Sequence, residues 1–555
     1  MKRIHILIFI FISLLFSDKL FAQSPLNWAN ISGGSDDDFI KDIAVDKAGN
    51  SFVCGTFSEQ MRFTPSQPSN YFVQVGGSSP YGYPVNSFIS KYNTSGGFSW
   101  AKQITGKSGD NYNYYYGAQR ILVDEMSNIY IEGNFKDTIE IDGNILISNK
   151  PQSNYIIKLD STGNFIWSKI FEAPGVDITA ISYSNGKLAS VINFQDSITI
   201  ENSTFYGASG HLITILDSSG IINSIYQISS NGNYTYANFK SCIIDQQGNI
   251  FVAGIFSDTL NFANGSIQYT DSFIAFFAAK LSPTFDLLYS KVIPRCFLHN
   301  NHRPLSVDLE GNMFITGDFN TDTLRLDSIL IPQDLSNLNY FIAKIDTAGQ
   351  FAWGHTTSYS GEICSTFLNG EQLNLIAFNS DSTYFDHAFF TDNFGFFLLT
   401  LDESGNIISA IKDQQWGWSF FPNGNCDSLG NIYLVSNESQ STGNVFFVGY
   451  SLPGYGEIDG CIGKIENPIL KIQETDNSNK NILGEIFPTV SNSEIFIKLK
   501  SPCNISIMSS TGQILRNFSQ ESSINSYDIS NFSKGLYWVR LANENNFQFE
   551  KFIIQ

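Results

Sequence analysis

The chain has 555 residues and carries 32 lysine and arginine residues against 52 aspartate and glutamate residues, which gives a net charge of −20. So acidic a protein is repelled by nucleic acid and by an anionic membrane surface, and the composition therefore argues against both as partners. Aromatic residues make up 14% of the sequence and charged residues only 15%, a balance typical of β-rich extracellular proteins rather than of disordered chains.

The first 22 residues have the layout of a cleavable signal peptide. Lys2 and Arg3 precede an apolar stretch from Ile4 to Phe16, and the small residue Ala22 stands before the predicted cleavage point. The apolar stretch is too short to cross a bilayer as a helix. No other apolar run in the sequence is long enough, so we expect a mature protein without a membrane span.

Residues 23–466 repeat a pattern of two hairpins. The first hairpin turns on Asp-x-x-Gly-Asn or a close variant, in which the Asp carboxylate can accept backbone N–H bonds and Gly supplies a left-handed conformation. These turns lack the dense alternating carboxylates of calcium-binding loops, so we interpret them as structural. They occur at residues 46–50, 124–128, 245–249, 308–312 and 427–431.

The second hairpin reads Tyr-Ile-Ile-Lys-Leu-Asp-Ser-Thr-Gly-Asn-Phe-Ile-Trp at residues 155–167. It has counterparts at residues 88–100, 212–224, 277–289, 341–353 and 397–409, and a seventh copy begins at Cys461. Two long gaps between first hairpins each contain a degenerate unit, with turns at residues 185–186 and 369–370. Seven units of roughly sixty residues are a period typical of propellers.

The seventh unit lacks its last strand, and a spare copy lies at the mature N-terminus. Residues 26–30 (Leu-Asn-Trp-Ala-Asn) match residues 98–102 (Phe-Ser-Trp-Ala-Lys). The two ends are predicted to complete one blade and close the ring, which hides the sheet edges. Residues 26–466 resemble the bacterial seven-bladed β-propeller repeat family. The predicted fold is all-β, a seven-bladed β-propeller at 23–466 followed by a small C-terminal β-sandwich; a solenoid or a tandem of sandwiches is the alternative.

The long connections of the predicted propeller carry aromatic residues beside Asn and Asp. Aromatic rings stack on the C–H faces of sugars while amides bond their hydroxyls, so these connections predict a surface that binds a glycan or a protein. The alternative is that the rings cover the propeller's own core. The candidate ligand-binding residues are Tyr112, Tyr114, Tyr115, Tyr116, Tyr234, Tyr236, Trp416 and Trp418.

Sequence signatures of catalysis are weak. The chain has neither a His-Glu-x-x-His zinc motif nor a Gly-x-Ser-x-Gly nucleophile motif. Cys296, His299 and His302 are zinc-ligand types at close spacing, but no fourth ligand is visible, and we interpret the histidines as exposed loop residues. We therefore expect no enzyme, no metal site and no cofactor. The alternatives are a secreted carbohydrate-active enzyme, with carboxylates brought together from distant blades, and a structural surface component.

A shorter repeat places Asp-Thr or Asp-Ser before an aliphatic residue. It occurs at residues 137–139, 196–198, 258–260 and 322–324. The pattern resembles the O-glycosylation acceptor pattern of Bacteroidota. A turn that begins a short strand at the same place in each blade is the alternative interpretation.

Residues 485–555 follow a linker at 467–484 that is rich in Asn, Lys and acidic residues. Their apolar and polar residues alternate in short runs broken by turns, the pattern of half-buried antiparallel strands. The segment resembles the type A C-terminal sorting domain of the type IX (Por) secretion system of Bacteroidota. The motif residues that carry this resemblance are Gly512, Lys534, Gly535, Tyr537 and Lys551.

The resemblance implies export by the type IX machinery at the outer membrane, where the tail would be recognised and then removed or used to attach the protein. The start departs from the family, which usually has Pro-Asn-Pro where this chain has Phe-Pro-Thr-Val at residues 487–490. We expect a monomer that passes through the periplasm and is secreted or held on the outer-membrane cell surface. Its partners would be the secretion machinery and a glycan or protein ligand.

Overall fold

Every regular element in the described part of the chain is a β-strand. None of the described residues forms a helix that could span a membrane. The structure is a computed structural model. It describes residues 26–35, 37–58, 60–64, 72–73, 86–106, 117–150, 152–231, 236–269, 273–298, 303–319, 321–332, 339–357, 361–370, 372–379, 383–385, 388–390, 395–412, 419–439, 444–447, 450–455, 458–466, 484–487, 490–491, 494–499, 502–509, 514–520, 524–532, 535–542 and 547–554.

The chain divides into two compact units, Met1–Glu466 and Asn467–Gln555. In the first half of the first unit the strands are β1 (Leu26–Ser32), β2 (Phe39–Val45), β3 (Ser51–Phe57), β4 (Gln60–Met61), β5 (Phe72–Val73), β6 (Asn86–Tyr92), β7 (Phe98–Gly106), β8 (Gly117–Val123), β9 (Ile129–Phe135), β10 (Thr138–Ile141), β11 (Asn144–Ile147), β12 (Ser153–Leu159), β13 (Phe165–Glu172), β14 (Asp177–Ser184), β15 (Lys187–Ile200), β16 (Ser203–Asp217) and β17 (Ile222–Asn231).

In the second half of this unit the strands are β18 (Ala237–Ile244), β19 (Ile250–Phe256), β20 (Asp258–Phe262), β21 (Gly265–Tyr269), β22 (Ala275–Leu281), β23 (Leu287–Pro294), β24 (Cys296–Phe297), β25 (Leu305–Val307), β26 (Met313–Phe319), β27 (Thr323–Leu326), β28 (Ile329–Pro332), β29 (Asn339–Ile345), β30 (Phe351–Thr357), β31 (Gly361–Asn369), β32 (Gln372–Asn379), β33 (Thr383–Phe385), β34 (Ala388–Phe390), β35 (Gly395–Leu401), β36 (Ile407–Lys412), β37 (Ser419–Cys426), β38 (Ile432–Ser439), β39 (Asn444–Phe447), β40 (Tyr450–Pro453) and β41 (Ile458–Ile465).

The main sheets of the first unit share one plan of four antiparallel strands. In the described residues their strand orders are β2-β3-β6-β7, β8-β9-β12-β13, β14-β15-β16-β17, β18-β19-β22-β23, β25-β26-β29-β30, β31-β32-β35-β36 and β37-β38-β41-β1, which we number as sheets one to seven. The first strands of successive sheets contact one another in a closed cycle, from β2 through β8, β14, β18, β25, β31 and β37 back to β2. We therefore call these first strands innermost. The all-β prediction is confirmed. A seven-bladed propeller fits this cycle and stays our prediction for the unit.

The N-terminal strand β1 supplies the outermost strand of sheet seven by pairing with β41, from Leu26 opposite Ile465 to Ser32 opposite Gly460. The indole of Trp28 then donates a hydrogen bond of 3.1 Å to the carbonyl of Thr94 in the second hairpin of sheet one. The corresponding indoles of sheets two and five donate hydrogen bonds to the second hairpins of sheets three and six. The tryptophan of the repeat thus ties each of these sheets to the one that follows.

The acidic turn of the first hairpin binds its own backbone. The Asp46 carboxylate accepts the backbone N–H groups of Ala48 and Asn50 and the side-chain amide of Asn50, at 2.8–3.0 Å. Gly49 has a φ of +85°, the left-handed region that the turn requires. Because local donors occupy the carboxylate, this turn is structural.

Short extra hairpins cover the outer edges of several sheets. β10 pairs with β7, β20 with β17 and β33 with β30, so a hairpin of one sheet protects the last strand of the preceding sheet. Asp137, Asp196 and Asp258 of the Asp-Thr/Ser repeat have positive φ values of 60–72°. Asp137 stands immediately before β10 and Asp258 begins β20, as the turn interpretation of the repeat expects, whereas Asp196 lies inside β15 at a shift in its pairing with β16.

The second unit contains β42 (Gly484–Phe487), β43 (Val490–Ser491), β44 (Glu494–Leu499), β45 (Cys503–Ser509), β46 (Ile514–Gln520), β47 (Ile524–Asp528), β48 (Gly535–Ala542) and β49 (Phe547–Ile554). They form a sheet β42-β44-β47 and a sheet β43-β49-β48-β45-β46. Ile497 of one sheet and Ile505 and Val539 of the other share one buried apolar cluster. The β-sandwich stays a prediction that this shared core fits.

The structure places three of the five sorting-motif residues in strands. Gly535 begins β48, Tyr537 follows it with a buried side chain, and Lys551 lies in β49, which pairs with β48. Gly512 and Lys534 lie outside the described residues.

Candidate functional site

Of the eight aromatic residues predicted to bind a ligand, the structure describes Tyr236. This residue is 45% exposed in the connection between β17 and β18, which joins sheets three and four. The zinc-ligand types His299 and His302 lie outside the described residues, as do Tyr112, Tyr114, Tyr115, Tyr116, Tyr234, Trp416 and Trp418. Their placement in a site stays a prediction.

Tyr236 begins a chain of polar contacts that leads inward. Its backbone is fixed by two hydrogen bonds with Ser257, of 3.0 and 2.8 Å, and its hydroxyl accepts the Asn238 amide at 3.4 Å. The Asn193 amide donates a long bond of 3.5 Å to Asn238, and Asn193 Oδ1 lies 2.8 Å from Nδ1 of His211. An exposed ring in the connection between sheets three and four is thereby linked to a buried imidazole on sheet three.

The imidazole of His211 is held in its neutral form. It is 1% exposed and lies against Phe239, with ring centroids 5.0 Å apart. Its Nε2 has no hydrogen-bond partner among the described residues, so a proton there would create an unpaired buried charge. Burial accordingly lowers the pKa of His211 to about 4.

We expect His211 to make the folded protein less stable in acid. The unfolded chain binds a proton near pH 6.5 and the folded one only near pH 4, so the free energy of unfolding should fall by about 3 kcal/mol across that range. Urea unfolding at pH 7 and pH 4.5 measures this loss, and His211→Gln should reduce it relative to the wild type. An equal loss in both proteins would contradict the assignment. The comparison is needed because other groups titrate in the same range.

A second group of polar side chains lies on the innermost strands, around the axis of the sheet cycle. The buried Asp42 of β2 accepts the Ile121 backbone N–H and the Asn423 amide, both at 2.9 Å, and forms an ion pair with Arg303. Arg303 precedes β25 in sheet five, whereas Asp42 lies in sheet one. Sheets six and seven stand between them in the cycle. Asp42 therefore joins sheets one, two, five and seven.

Glu132 of β9 forms the other acidic centre of this axial cluster. It pairs with Arg120 at 2.9 Å and accepts the Asn154 amide at 3.3 Å, and its side chain is 1% exposed. The Arg120 guanidinium also donates to the Ile178 carbonyl of sheet three at 2.9 Å. Burial raises the pKa of Glu132 to about 7 although Arg120 and Asn154 act in the opposite direction. At neutral pH this carboxyl can therefore donate or accept a proton.

The axial cluster also encloses a thiol and an amine. Burial raises the pKa of the Cys54 thiol well above its usual range, and the carboxylates of Asp42 and Glu132 add to the effect. Burial lowers the pKa of Lys41 to about 8. All seven cysteines are free. No group of side chains suited to holding a metal ion occurs among the described residues.

The sequence analysis did not single out the axial residues. Asp42, Arg120 and Asn423 each stand four residues before the first residue of a hairpin turn. That repeat position carries a large polar side chain in these three units and alanine, serine or proline in the others, a difference that a unit-by-unit comparison of the innermost strands would show. This repeat position matters only in the folded unit, because the closed cycle of sheets brings the three residues together.

Two family models match the chain. The model of the secretion system C-terminal sorting domain matches residues 485–555. The model of the beta-propeller repeat matches residues 28–56, which cover most of β1 and all of β2 together with the greater part of β3. No match was found among curated proteins.

Several solved structures resemble the chain at low similarity. A subtype N10 neuraminidase-like protein of A/little yellow-shouldered bat is 11% identical, with 78% of this chain and 98% of that chain covered and a TM-score of 0.32. PorZ, a surface component of the type IX secretion system of Porphyromonas gingivalis, is 10% identical, with 93% and 82% covered and a TM-score of 0.18. The polysaccharide lyase PL25, an ulvan lyase, is 10% identical, with 77% and 96% covered and a TM-score of 0.38. Neither activity nor ligand transfers at these values.

The match at residues 485–555 confirms the predicted sorting domain. A protein with this tail is exported through the periplasm by the type IX machinery, and it reaches the cell surface or the extracellular space. The predicted bounds of the signal peptide, propeller and linker stay predictions.

Proposed function

We propose that this chain, an exported protein with a type IX sorting domain and a propeller repeat, is a non-enzymatic surface protein that binds a glycan. The sorting domain brings the protein to the outside of the cell, where glycans are abundant ligands. Its first unit presents rigid sheets to which connections such as the one bearing Tyr236 are anchored. Function on such folds resides in the connections.

Tyr236 is the observation that supports glycan binding. Its ring offers an exposed face for the C–H groups of a sugar, and its hydroxyl and the Asn238 amide are close enough to bond neighbouring sugar hydroxyls. Hydrogen bonds to Ser257 hold the backbone of Tyr236 in place, so little conformational entropy is lost on binding.

The state of the axial carboxylates favours binding over catalysis. Asp42 is buried and engaged by Arg303, Asn423 and the Ile121 backbone, so its oxygens are not presented to a substrate. Nucleophilic and acid–base carboxylates must come within hydrogen-bond reach of the reacting atoms.

A glycan array with the purified first unit, residues 23–466, tests the proposal. We expect binding to at least one sugar, and Tyr236→Ala should weaken it about tenfold, the loss expected for one stacking contact. Tyr206→Ala is the matched control, since Tyr206 is 72% exposed on β16 and its side chain has no amide partner among the described residues. If no sugar binds, or if Tyr236→Ala binds as well as the wild type, the proposal is wrong.

One observation favours a second candidate function, a carbohydrate-active enzyme. The carboxyl of Glu132 has a pKa near 7, which suits a general acid. For this second function, the residues around the axis would have to move apart to admit a substrate, because the Glu132 side chain is almost fully buried. Release of reducing ends from the glycans that the array identifies, lost in Glu132→Gln, would support the enzyme. Unchanged glycans would exclude it.

A further inference from the structure

The repeat units share one irregular position at the innermost strands. It lies five residues before the first residue of the hairpin turn or, in sheets three and six, five residues before the last residue of the strand. In sheets one, two, three, four and six the ladder shifts there by a β-bulge that leaves one residue unpaired. Bulges re-aim side chains and recur beside functional sites. We call the residues at this position the bulge ring: Lys41, Gln119, Thr179, Lys240, Arg303, Cys364 and Pro422.

The bulge ring is basic although the protein is acidic. Three of its seven members are cations and none is an acid, in a chain with a net charge of −20. The side chains of Arg303 and of Arg120, which is next to the ring, are still 35% and 33% exposed. Solvent therefore reaches these two side chains.

The cations of this region differ in how they are neutralised. Arg303 pairs with Asp42, and Arg120 pairs with Glu132. Lys240 makes neither a hydrogen bond nor an ion pair with any described residue, although Asp177 is near enough to influence it. A half-buried ammonium without a partner is costly, so Lys240 is the cation with unused binding capacity.

A second donor without a partner lies on the adjacent innermost strand. Thr179 of β14 occupies the same ring position as Lys240 of β18, and the two strands are in contact. Its hydroxyl has no hydrogen-bond partner among the described residues, but it is closed off from solvent and does not itself face a ligand. The Arg120 guanidinium is beside it, bonded at 2.9 Å to the carbonyl of the preceding residue, Ile178.

We propose that this part of the bulge ring is an oxyanion-binding site, in which the Lys240 ammonium donates to a carboxylate or sulfate group and the Arg120 guanidinium adds positive potential. Ammonium and guanidinium groups are donors only, and their bonds to oxyanions are the strong charge-assisted kind. The buried residues around the axis form a low-dielectric environment, which strengthens the electric field of the few cations there. The site is independent of glycan binding at Tyr236.

Calorimetric titration of the mature full-length protein tests the site, with galacturonate, sodium sulfate and neutral galactose as probes. We expect galacturonate or sulfate to bind at the axis and Lys240→Met to weaken that binding about tenfold. Lys150→Met, which removes one exposed lysine outside the ring, is the control for the change in net charge and should bind as the wild type does.

The probes also separate the two sources of the oxyanion. Binding of galacturonate alone identifies an acidic sugar, and binding of sulfate alone identifies an inorganic ion. Without an anion, Lys240→Met should melt at the same temperature as the wild type or higher, because an unpaired ammonium is removed. The proposal is overturned if neither anion binds, if Lys240→Met binds as tightly as the wild type, or if this variant melts at a clearly lower temperature.

Discussion

A mature protein that lacks residues 23–32 is expected to aggregate or to remain unfolded. The deletion removes β1, so β41 loses the partner strand that completes sheet seven. It also removes Leu26 and Ile31 from a buried apolar cluster. Each buried aliphatic side chain contributes about 1.5–3 kcal/mol, and a whole domain is stable by only about 5–15 kcal/mol. The unpaired edge of β41 would favour association between chains.

Size-exclusion chromatography and thermal unfolding of the deletion variant measure this effect. A graded test uses Ile31→Ala, which should lower the free energy of unfolding by about 2–5 kcal/mol because the side chain is fully buried. Asn27→Ala, on the exposed side of the same strand, is the matched control and should unfold as the wild type does. A monomeric deletion variant with wild-type melting would show that closure by β1 contributes nothing.

Deletion of residues 485–555 is expected to stop export while leaving the first unit folded. The sorting-domain match covers these residues, and they belong to the second compact unit, Asn467–Gln555, rather than to Met1–Glu466. In a host with a type IX system, the truncated protein should accumulate in the periplasm instead of at the surface or in the medium. Cell fractionation with immunoblotting measures the change.

The reciprocal fusion tests whether the tail is sufficient for export. Residues 485–555 joined to a periplasmic reporter should carry that reporter to the surface or the medium in the same host. A truncated protein that still reaches the surface would contradict the role of the tail. The purified truncated protein should melt at the temperature of the first unit in the full chain, which excludes misfolding as the cause of retention.

Local signals in the sequence predicted much of the first unit. The Asp46 turn and its equivalents are complete within five residues, since the carboxylate, the glycine and the following strand all act on neighbouring atoms. The role of Trp28 was predictable for the same reason, because its flanking residues repeat those around Trp100. The structure adds the physical cause, an indole that reaches the hairpin of the next sheet.

The axial cluster could not be predicted in this way. Asp42 and Arg303 are far apart in the sequence, and each looks like an ordinary charged residue in or just before a short strand. Their ion pair exists because seven sheets close into a cycle and bring both to one axis. The bulge ring has the same origin, since a bulge depends on the pairing of two strands rather than on one residue.

The sequence by itself determined the destination of this protein and its all-β class, because sorting motifs and hairpin turns are short patterns whose chemistry is local. The tertiary structure decided which side chains meet at the axis, where the pKa of Glu132 rises to about 7 and Lys240 stays without a partner among the described residues. Burial and proximity across the ring produce both effects, and neither quantity exists before the chain has folded.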